Sequence, residues 1–209
     1  MARYTEADCR ICRRHGEKLF LKGAKCMTKC TFERRPNPPG DQQKGRRRKI
    51  SDRGLQLREK QKARFAYGIL ERQFRTYYEE AAARPGVTGD NLVRILESRL
   101  DNVVHRLGWG DSRDQARQLV THGHITMNGR KTDIPSARVR VGDVVSWTER
   151  GRKTEYFKTL TEAARNVAPA PQWLQLDGGQ MSARVAAMPS RVDGDKTFNE
   201  GVIVEFYSR

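Results

Sequence analysis

The chain has 209 residues, of which 36% are hydrophobic and 32% charged, and its formal net charge is +16. So large a basic excess favours a polyanionic partner, most often nucleic acid and less often an anionic membrane surface. No apolar run approaches the roughly 20 residues that span a bilayer, and residues 1–6 lack the apolar stretch of a secretory signal. We therefore expect a cytoplasmic protein, in which thiols stay reduced.

The first 60 residues carry most of the basic excess. They hold 18 Lys or Arg and 7 Asp or Glu, a net charge of +11, whereas residues 61–209 have a net charge of +5. All four cysteines also lie in this part of the chain. A segment so charged cannot bury enough apolar surface to fold alone. We expect it to need a metal ion, an RNA surface, or both.

The cysteines form two close pairs, Cys9 with Cys12 and Cys26 with Cys30. Two such pairs separated by a short loop are typical of a tetrahedral zinc site, and neighbouring cations favour the thiolate form. The spacing therefore predicts one structural Zn²⁺ bound by all four cysteines. The alternatives are a redox pair at Cys9 and Cys12, unrelated buried thiols, and a site in which His15 replaces one cysteine.

A basic run, 44–49, follows a Pro-rich stretch at 36–40. Beside a predicted metal site and in a chain of this charge, we predict phosphate contacts for Arg46, Arg47, Arg48 and Lys49 rather than a merely solvated run. A helix is then expected from Ser51 as N-cap, with Leu55, Leu57, Phe65 and Ile69 as its apolar stripe.

A second helix is predicted for 70–83, ending before Pro85. Its aromatic residues, together with Tyr67, fit a helix core better than base stacking. The next stretch has the clearest helical periodicity in the chain. Asp90 is the predicted N-cap of a continuous helix to Leu107, which Gly108 ends.

Ser112, with Gln115 three residues on, predicts the start of another helix, which Gly123 closes. Asn128-Gly129 is the preferred dipeptide of a two-residue type I′ turn, so residues 124–132 predict a β-hairpin. Further strands are expected at 139–147, a short helix at 161–167 and a hairpin around 177–179. The tail, 201–209, has strand propensity on its β-branched content.

Several stretches spread along the chain carry a resemblance to a known family. They include Arg34-Arg35-Pro36, Leu57-Arg58-Glu59-Lys60-Gln61-Lys62, Glu71-Arg72-Gln73-Phe74, Glu97-Ser98-Arg99-Leu100-Asp101-Asn102, Ala116-Arg117-Gln118-Leu119-Val120, His122-Gly123-His124-Ile125 and Phe206-Tyr207-Ser208. On these residues the chain resembles the bacterial ribosomal small-subunit protein four family, essentially from end to end.

The resemblance implies a primary binder of small-subunit ribosomal RNA that nucleates subunit assembly. It also implies a place near the channel where messenger RNA enters, beside small-subunit proteins three and five, and a contribution to translational accuracy. No membrane and no small-molecule substrate are implied. Many members lack the cysteines, so the resemblance does not make zinc a requirement of the fold.

The implied fold class is α+β. Residues 1–50 would form the zinc knuckle and basic extension, and 51–96, rejoined by 186–209, a helical domain. Residues 97–185 would form an inserted RNA-binding module of two helices on a small antiparallel sheet. The resemblance thus favours a helix for the tail, against its propensity.

The predicted RNA contacts combine the basic run with polar and basic residues of the helical domain and the module. In the module, Arg113 and Arg117 were expected to flank one RNA strand, the alternative being surface ion pairs with Asp111 and Asp114. The full set is Arg46, Arg47, Arg48, Lys49, Arg58, Lys62, Arg72, Arg99, Arg106, Ser112, Arg113, Arg117, Gln118, His122, His124, Asn128, Lys131 and Arg138.

Two other classes of function compete with a structural RNA-binding role. An enzyme would use the module for targeting, but we find no second domain with a nucleophile or acid/base constellation, and we interpret Asp101 as a helix-surface salt-bridge partner. A zinc-containing DNA-binding regulator fits the charge equally well. A preference for folded ribosomal RNA over duplex DNA at matched salt would separate the two.

Overall fold

The computed structural model describes residues 4–40, 49–163, 170–177, 179 and 181–208. Its contacts divide the chain into two compact units, here called unit 1 (Met1–Val93 with Asp195–Arg209) and unit 2 (Arg94–Gly194). The sequence had predicted that the helical domain ends at residue 96 and resumes at 186. Helices and antiparallel strands are both present, which confirms the α+β class. No helix among the described residues has the length and apolar character needed to cross a membrane.

Unit 1 consists of helices in its described part. They are α1 (Cys9–His15), α2 (Ala24–Thr28), α3 (Thr31–Arg34), α4 (Asp52–Ala66), α5 (Glu71–Ala83), the first part of α6 (Thr88–Glu97), and α11 (Glu200–Tyr207).

Helix α4 begins as predicted but buries a different face. The Ser51 hydroxyl accepts a hydrogen bond from the Gly54 amide, which confirms the cap. Leu55 and Leu57, however, are 49% and 41% exposed, and the buried positions include Gln56 and Lys60. The predicted stripe is therefore wrong for its two leucines, because polar side chains with partners on other helices take the inward positions. Its other two members do pack, since Ile69 is buried and Phe65 lies against a small core.

Helix α11 supplies the partner of Gln56, whereas Lys60 pairs with Glu71 of α5. Ile203 is fully buried, Gln56 donates to Glu205 at 3.2 Å, and the Tyr207 hydroxyl donates to Glu71 at 3.0 Å. The Asn199 side chain caps α11 by accepting from the amides of residues 201 and 202. Packing on α4 and this cap outweigh the strand propensity of the tail, as expected where tertiary contacts decide.

The long helix predicted from Asp90 to Leu107 is two helices, α6 and α7 (Leu100–Arg106). Between them, Arg99 is extended, with φ −71° and ψ 140°, and forms an isolated antiparallel bridge with Arg138. The amide of Leu100 then donates to the carbonyl of Ala137 at 2.8 Å. The first amides of α7 thus find partners in the loop at 135–138, and this pairing breaks a helix that periodicity alone would continue.

Unit 2 packs helices on a five-stranded antiparallel sheet of order β2-β1-β3-β5-β4. Its other elements are α8 (Arg113–Thr121), β1 (Ile125–Met127), β2 (Arg130–Lys131), β3 (Val144–Trp147), α9 (Glu149–Arg152), α10 (Glu155–Ala163), β4 (Leu174–Asp177) and β5 (Ser182–Val185). Asn128 and Gly129 have φ of 52° and 77°, which confirms the type I′ turn. Helix α10 includes residues 161–163 of the helix predicted at 161–167, whose remaining residues lie outside the described ranges.

One apolar core fills unit 2. It includes Leu100, Val103, Val104, Leu107, Trp109, Ala116, Val120, Ile125, Val145, Trp147, Trp173, Ala183 and Val185. The helical periodicity predicts that Leu96, Leu100, Val103 and Leu107 face Leu119, Val120 and Ile125. The prediction is confirmed for Leu100, Val103 and Leu107, whereas Leu96, on α6, is not a member of this core.

Candidate nucleic-acid interface

Helix α8 places most of the predicted contact residues of unit 2. The Ser112 hydroxyl accepts a hydrogen bond from the Gln115 amide at 3.3 Å, as an N-cap does. The Gln115 side chain instead accepts from the amide of Asp111 at 2.8 Å. Buried Ala116 and Val120 face the core, and the remaining residues of α8 form two further faces of different chemistry.

The first of these faces carries Arg113 and Arg117, and it is turned towards α7. Arg113 donates to the Asn102 side chain at 2.8 Å, and Arg117 pairs with Asp101 at 3.0 Å. These guanidinium groups orient α7 against α8, so they are less available to a phosphate than two free surface arginines would be.

Beneath them lies a buried polar cluster. Arg99 has no exposed surface and forms a bidentate pair with Asp101, with distances of 2.6 and 3.0 Å. Arg106 likewise pairs with Glu97 at 2.7 and 2.9 Å. Full burial removes Arg99 from the predicted RNA contacts. It also makes Asp101 a buried partner of two arginines and not the surface residue that the sequence predicted.

The other face of α8 is open and uncharged. With His124, it lines a surface pocket of about 200 Å³, made by Gln115, Gln118, Leu119, His122 and His124. The imidazole rings of His122 and His124 lie 6.1 Å apart, tilted by 54°. Three predicted contact residues are thus brought together here. Gln115 was missed, although its spacing from Gln118 and His122 places it on the same helix face.

Cations surround this pocket. Gly123 has no side chain and a φ of +71°, and Lys131 lies across it. A Cβ at that position would lie 2.8 Å from the Lys131 ammonium nitrogen. Burial, followed by the charges of His122, Arg150 and Lys131, lowers the pKa of His124 below its usual value. His124 is therefore neutral at pH 7, between two exposed cations. Arg150, on α9, was missed because no local pattern marks it.

The remaining predicted RNA contacts of unit 2 differ in how far their side chains are exposed to a bound RNA. Asn128 is structural, since its side chain bonds to the Val144 amide at 2.8 Å and to Asp143 at 2.9 Å. Arg138 is half-buried and pairs through its backbone with Arg99. Lys131 and its neighbour Arg130 are exposed on β2. The hairpin therefore presents cations outward.

In unit 1, Arg58, Arg72 and Lys49 are exposed, as RNA contacts require. Lys62 is 6% exposed, and its ammonium group lies 2.7 Å from both Glu17 and Glu59. These ion pairs make Lys62 a link within unit 1, which corrects its prediction as an RNA contact. Arg46, Arg47 and Arg48 lie outside the described residues.

The four cysteines are free thiols in one small segment. Cys12, Cys26 and Cys30 are buried, while Cys9 is half-buried. Burial raises the pKa of Cys12, and the charges of Cys26, Cys9 and Cys30 raise it further. A backbone hydrogen bond from Leu19 acts in the opposite direction and lowers this pKa. The other three cysteines are therefore close enough to act on Cys12 electrostatically.

These cysteines fit a thiophilic metal ion in chemical type. The Lys22 amide donates to the Cys26 sulfur at 3.3 Å, a bond that stabilises a thiolate. Within the described ranges, however, no group of three or more Cys, His, Asp or Glu side chains has the arrangement of a metal site. His15, the alternative ligand, is buried with neither ring nitrogen hydrogen-bonded.

Comparison with known proteins covers the whole chain. Residues 3–97 match the family described as "Ribosomal protein S4/S9 N-terminal domain", and residues 98–145 match the "S4 domain". The chain is 54% identical over 209 residues to small ribosomal subunit protein uS4 of Dehalococcoides mccartyi, covering all of both chains. It is 55% identical to that of Clostridium tetani and 56% identical to uS4A of Clostridium botulinum, each over 210 residues and both full lengths.

Proposed function

The chain belongs to the uS4 family of small ribosomal subunit proteins, and from this premise we propose that unit 2 recognises folded small-subunit ribosomal RNA while the basic N-terminal segment follows its phosphates. Like its relatives, the protein is a structural, RNA-binding component of the small subunit, working in the cytoplasm and not as an enzyme. Full-length identity above one half is the observation that carries this conclusion.

The exposed cations support the proposed division of roles. Arg130, Lys131 and Arg150 project from the hairpin and α9 of unit 2, on a scaffold held by a large core. Double-stranded RNA is recognised mainly through its shape and its phosphates, which such rigidly spaced cations can match.

The test compares the full chain on small-subunit ribosomal RNA and on duplex DNA at the same salt concentration. We expect the ribosomal RNA to bind more tightly by at least tenfold, since a specific complex exceeds non-specific binding by several kcal/mol. The double variant Arg130→Gln with Lys131→Gln should weaken binding and reduce the dependence of log affinity on log salt. Equal affinity for both nucleic acids would favour the DNA-binding alternative instead.

For the basic run, we propose phosphate contacts by Arg46, Arg47, Arg48 and Lys49. Replacing all four with Ala should reduce the salt slope by roughly 0.7–0.9 for each lost contact. A matched variant with three Arg→Lys changes keeps the charge and should keep the slope. An unchanged slope in the alanine variant would mean that the run is only solvated.

We also propose that the protein nucleates subunit assembly and lies beside small-subunit proteins three and five, near the channel where messenger RNA enters and where it contributes to accuracy. End-to-end family resemblance supports this. Chemical crosslinking of assembled small subunits should join this chain to both proteins and to bound messenger RNA. Crosslinks only to other subunit proteins would contradict the assignment.

Finally, we propose that Cys9, Cys12, Cys26 and Cys30 bind one structural Zn²⁺ as thiolates. Their proximity, burial and amide hydrogen bonds support this. Zinc would supply the positive charge that allows four thiolates to lie together and would fold the segment. Metal analysis of protein purified under reducing conditions should find about one equivalent. Four freely titrating thiols and no metal would refute the proposal.

A further inference from the structure

The pocket on the open face of α8 differs from the surfaces that bind phosphate. Gln115, Gln118, Leu119 and His122 recur with helical spacing on one side of the helix, and none of them is Lys, Arg, Asp or Glu. Among the described contacts, the side chains of Gln118 and His122 have no hydrogen-bond partner. A primary amide offers both donors and acceptors, which complements the mixed donors and acceptors of a nucleobase edge.

We propose that this pocket takes one unstacked base of the bound ribosomal RNA, while Lys131 and Arg150 hold the phosphate beside it. This rests on the proposed function and specifies how part of the RNA is recognised. RNA sequence is read mainly at unpaired bases, which stack on aromatic or imidazole rings and hydrogen-bond through their edges. Here the rings are His122 and His124, and the edge-reading groups are the two glutamine amides.

The size of the pocket fits a single base. Its volume of about 200 Å³ is below the range of about 300–1,000 Å³ that is usual for sites of drug-sized ligands. A dinucleotide or a folded peptide segment would exceed it. The protein groups that the pocket offers therefore match one planar, polar ring.

The pocket is also built rigidly. The His124 amide donates to the Leu119 carbonyl at 3.1 Å, and the Thr148 amide donates to the His124 carbonyl at 2.8 Å. These bonds fix β1 to the end of α8 and to the chain leading into α9. Little conformational freedom remains to be lost on binding, which favours affinity.

The charges distinguish RNA from an acidic protein partner. The lining contains no Lys, Arg, Asp or Glu, and burial and the nearby charges lower the pKa of His124. Lys131 and Arg150, which contribute to that shift, are exposed. In the described part of the chain neither cation has an ion-pair partner. A neutral pocket with adjacent cations matches a nucleotide, in which a neutral base is joined to an anionic phosphate.

The test uses the full chain and small-subunit ribosomal RNA. The double variant Gln118→Ala with His122→Ala removes no Lys, Arg, Asp or Glu side chain. It should therefore lower the affinity about tenfold, the effect of losing one stacked base, without changing the salt slope. Base-specific chemical modification of the complex should show one base that the parent protects and the variant leaves reactive. The matched control is Gln175→Ala, an exposed glutamine on the edge strand β4, which should bind as the parent does.

A second variant guards against loss of folding. Gln118→Glu keeps the size of an exposed side chain and places a carboxylate in the pocket, so it should also weaken binding of the RNA. Tryptophan fluorescence verifies that unit 2 of each variant is folded. For the double alanine variant, an unchanged affinity with no newly reactive base would overturn the pocket proposal. A weaker affinity of that variant together with a shallower salt slope would overturn it too. Failure of the parent to prefer ribosomal RNA would instead overturn the proposed function.

Discussion

Among the described residues, seventeen buried side chains form the core of unit 2, whereas the core beside the cysteines has only Ile11, Cys12 and Leu19 as buried members. Apolar burial contributes about 25 cal/mol per Å², so unit 2 is stabilised by its own core. The cysteine segment, residues 8–35, buries too little to do the same. The comparison shows that apolar packing stabilises unit 2, whereas the cysteine segment needs a further source of stability, for which we propose Zn²⁺.

Removal of metal should separate the two regions most strongly. Structural zinc contributes about 10 kcal/mol or more in small zinc domains, so a chelator should unfold α1 and α2. Hydrogen exchange measured with and without chelator should then show faster exchange at those helices and unchanged protection in β1 and β3. Added zinc should restore the protection. Equal exchange in both states would mean that the segment is stabilised without metal, and the comparison would fail.

Within unit 2, Asp101→Ala should have the next largest effect. It leaves Arg99 buried without this carboxylate and removes the partner of Arg117, and breaking a buried pair costs about 3–5 kcal/mol. Trp109, Trp147 and Trp173 all lie in unit 2, so urea unfolding followed by tryptophan fluorescence reports this unit. The control is Glu155→Ala, which breaks an exposed pair with Lys158 and should cost less than about 1 kcal/mol.

Acidification should weaken unit 2 through His105. Burial, followed by the charge of Arg113, lowers the pKa of His105 to about 4, although its Nδ1 lies 3.1 Å from the Gly110 carbonyl. The unfolded chain therefore binds the proton more readily, and stability is lost as the pH falls from about 6.5 towards 4, by up to about 3 kcal/mol. His105→Gln should reduce the change in unfolding free energy between about pH 6.5 and pH 4, as measured by tryptophan fluorescence. The same slope in both proteins would exclude His105 as its cause.

The smallest expected effect is at the start of α8. Ser112→Ala removes the hydroxyl that accepts from the Gln115 amide, and loss of such a cap typically costs about 1 kcal/mol. Ser112→Asp should retain most of the stability in the same urea assay, because a carboxylate also caps. Equal loss in both variants would indicate that Ser112 acts through packing.

Local patterns predicted the elements whose signals are local. The Ser51 and Ser112 caps, the Asn128-Gly129 turn and the stripe of α7 are each encoded within a few neighbouring residues. The break at Arg99 was missed because its cause is a backbone partner, Arg138, 39 positions further along the chain. Likewise, nothing near Leu55 or Leu57 shows that α11 pairs with the polar side of α4.

The candidate site was predicted in composition but not in arrangement. Gln118, His122, His124 and Lys131 do lie together, and their shared face follows from helix and hairpin geometry. Arg99 and Lys62 were misassigned because a sequence shows that a residue is basic but not that acidic partners surround it. Arg150 was missed because only the folded sheet brings α9 to β1.

The return of the chain from unit 2 to unit 1 has a consequence for biosynthesis. A ribosome makes residues 94–194 before it makes α11, so unit 2 has its whole sequence available for folding while α4 still lacks Ile203 and Tyr207. Domains generally fold as units while the chain emerges. Unit 1 should therefore be completed only when α11 leaves the exit tunnel. A premature stop within residues 195–205 would leave α4 uncovered and Gln56 without its partner Glu205, and so mark the truncated product for proteolysis.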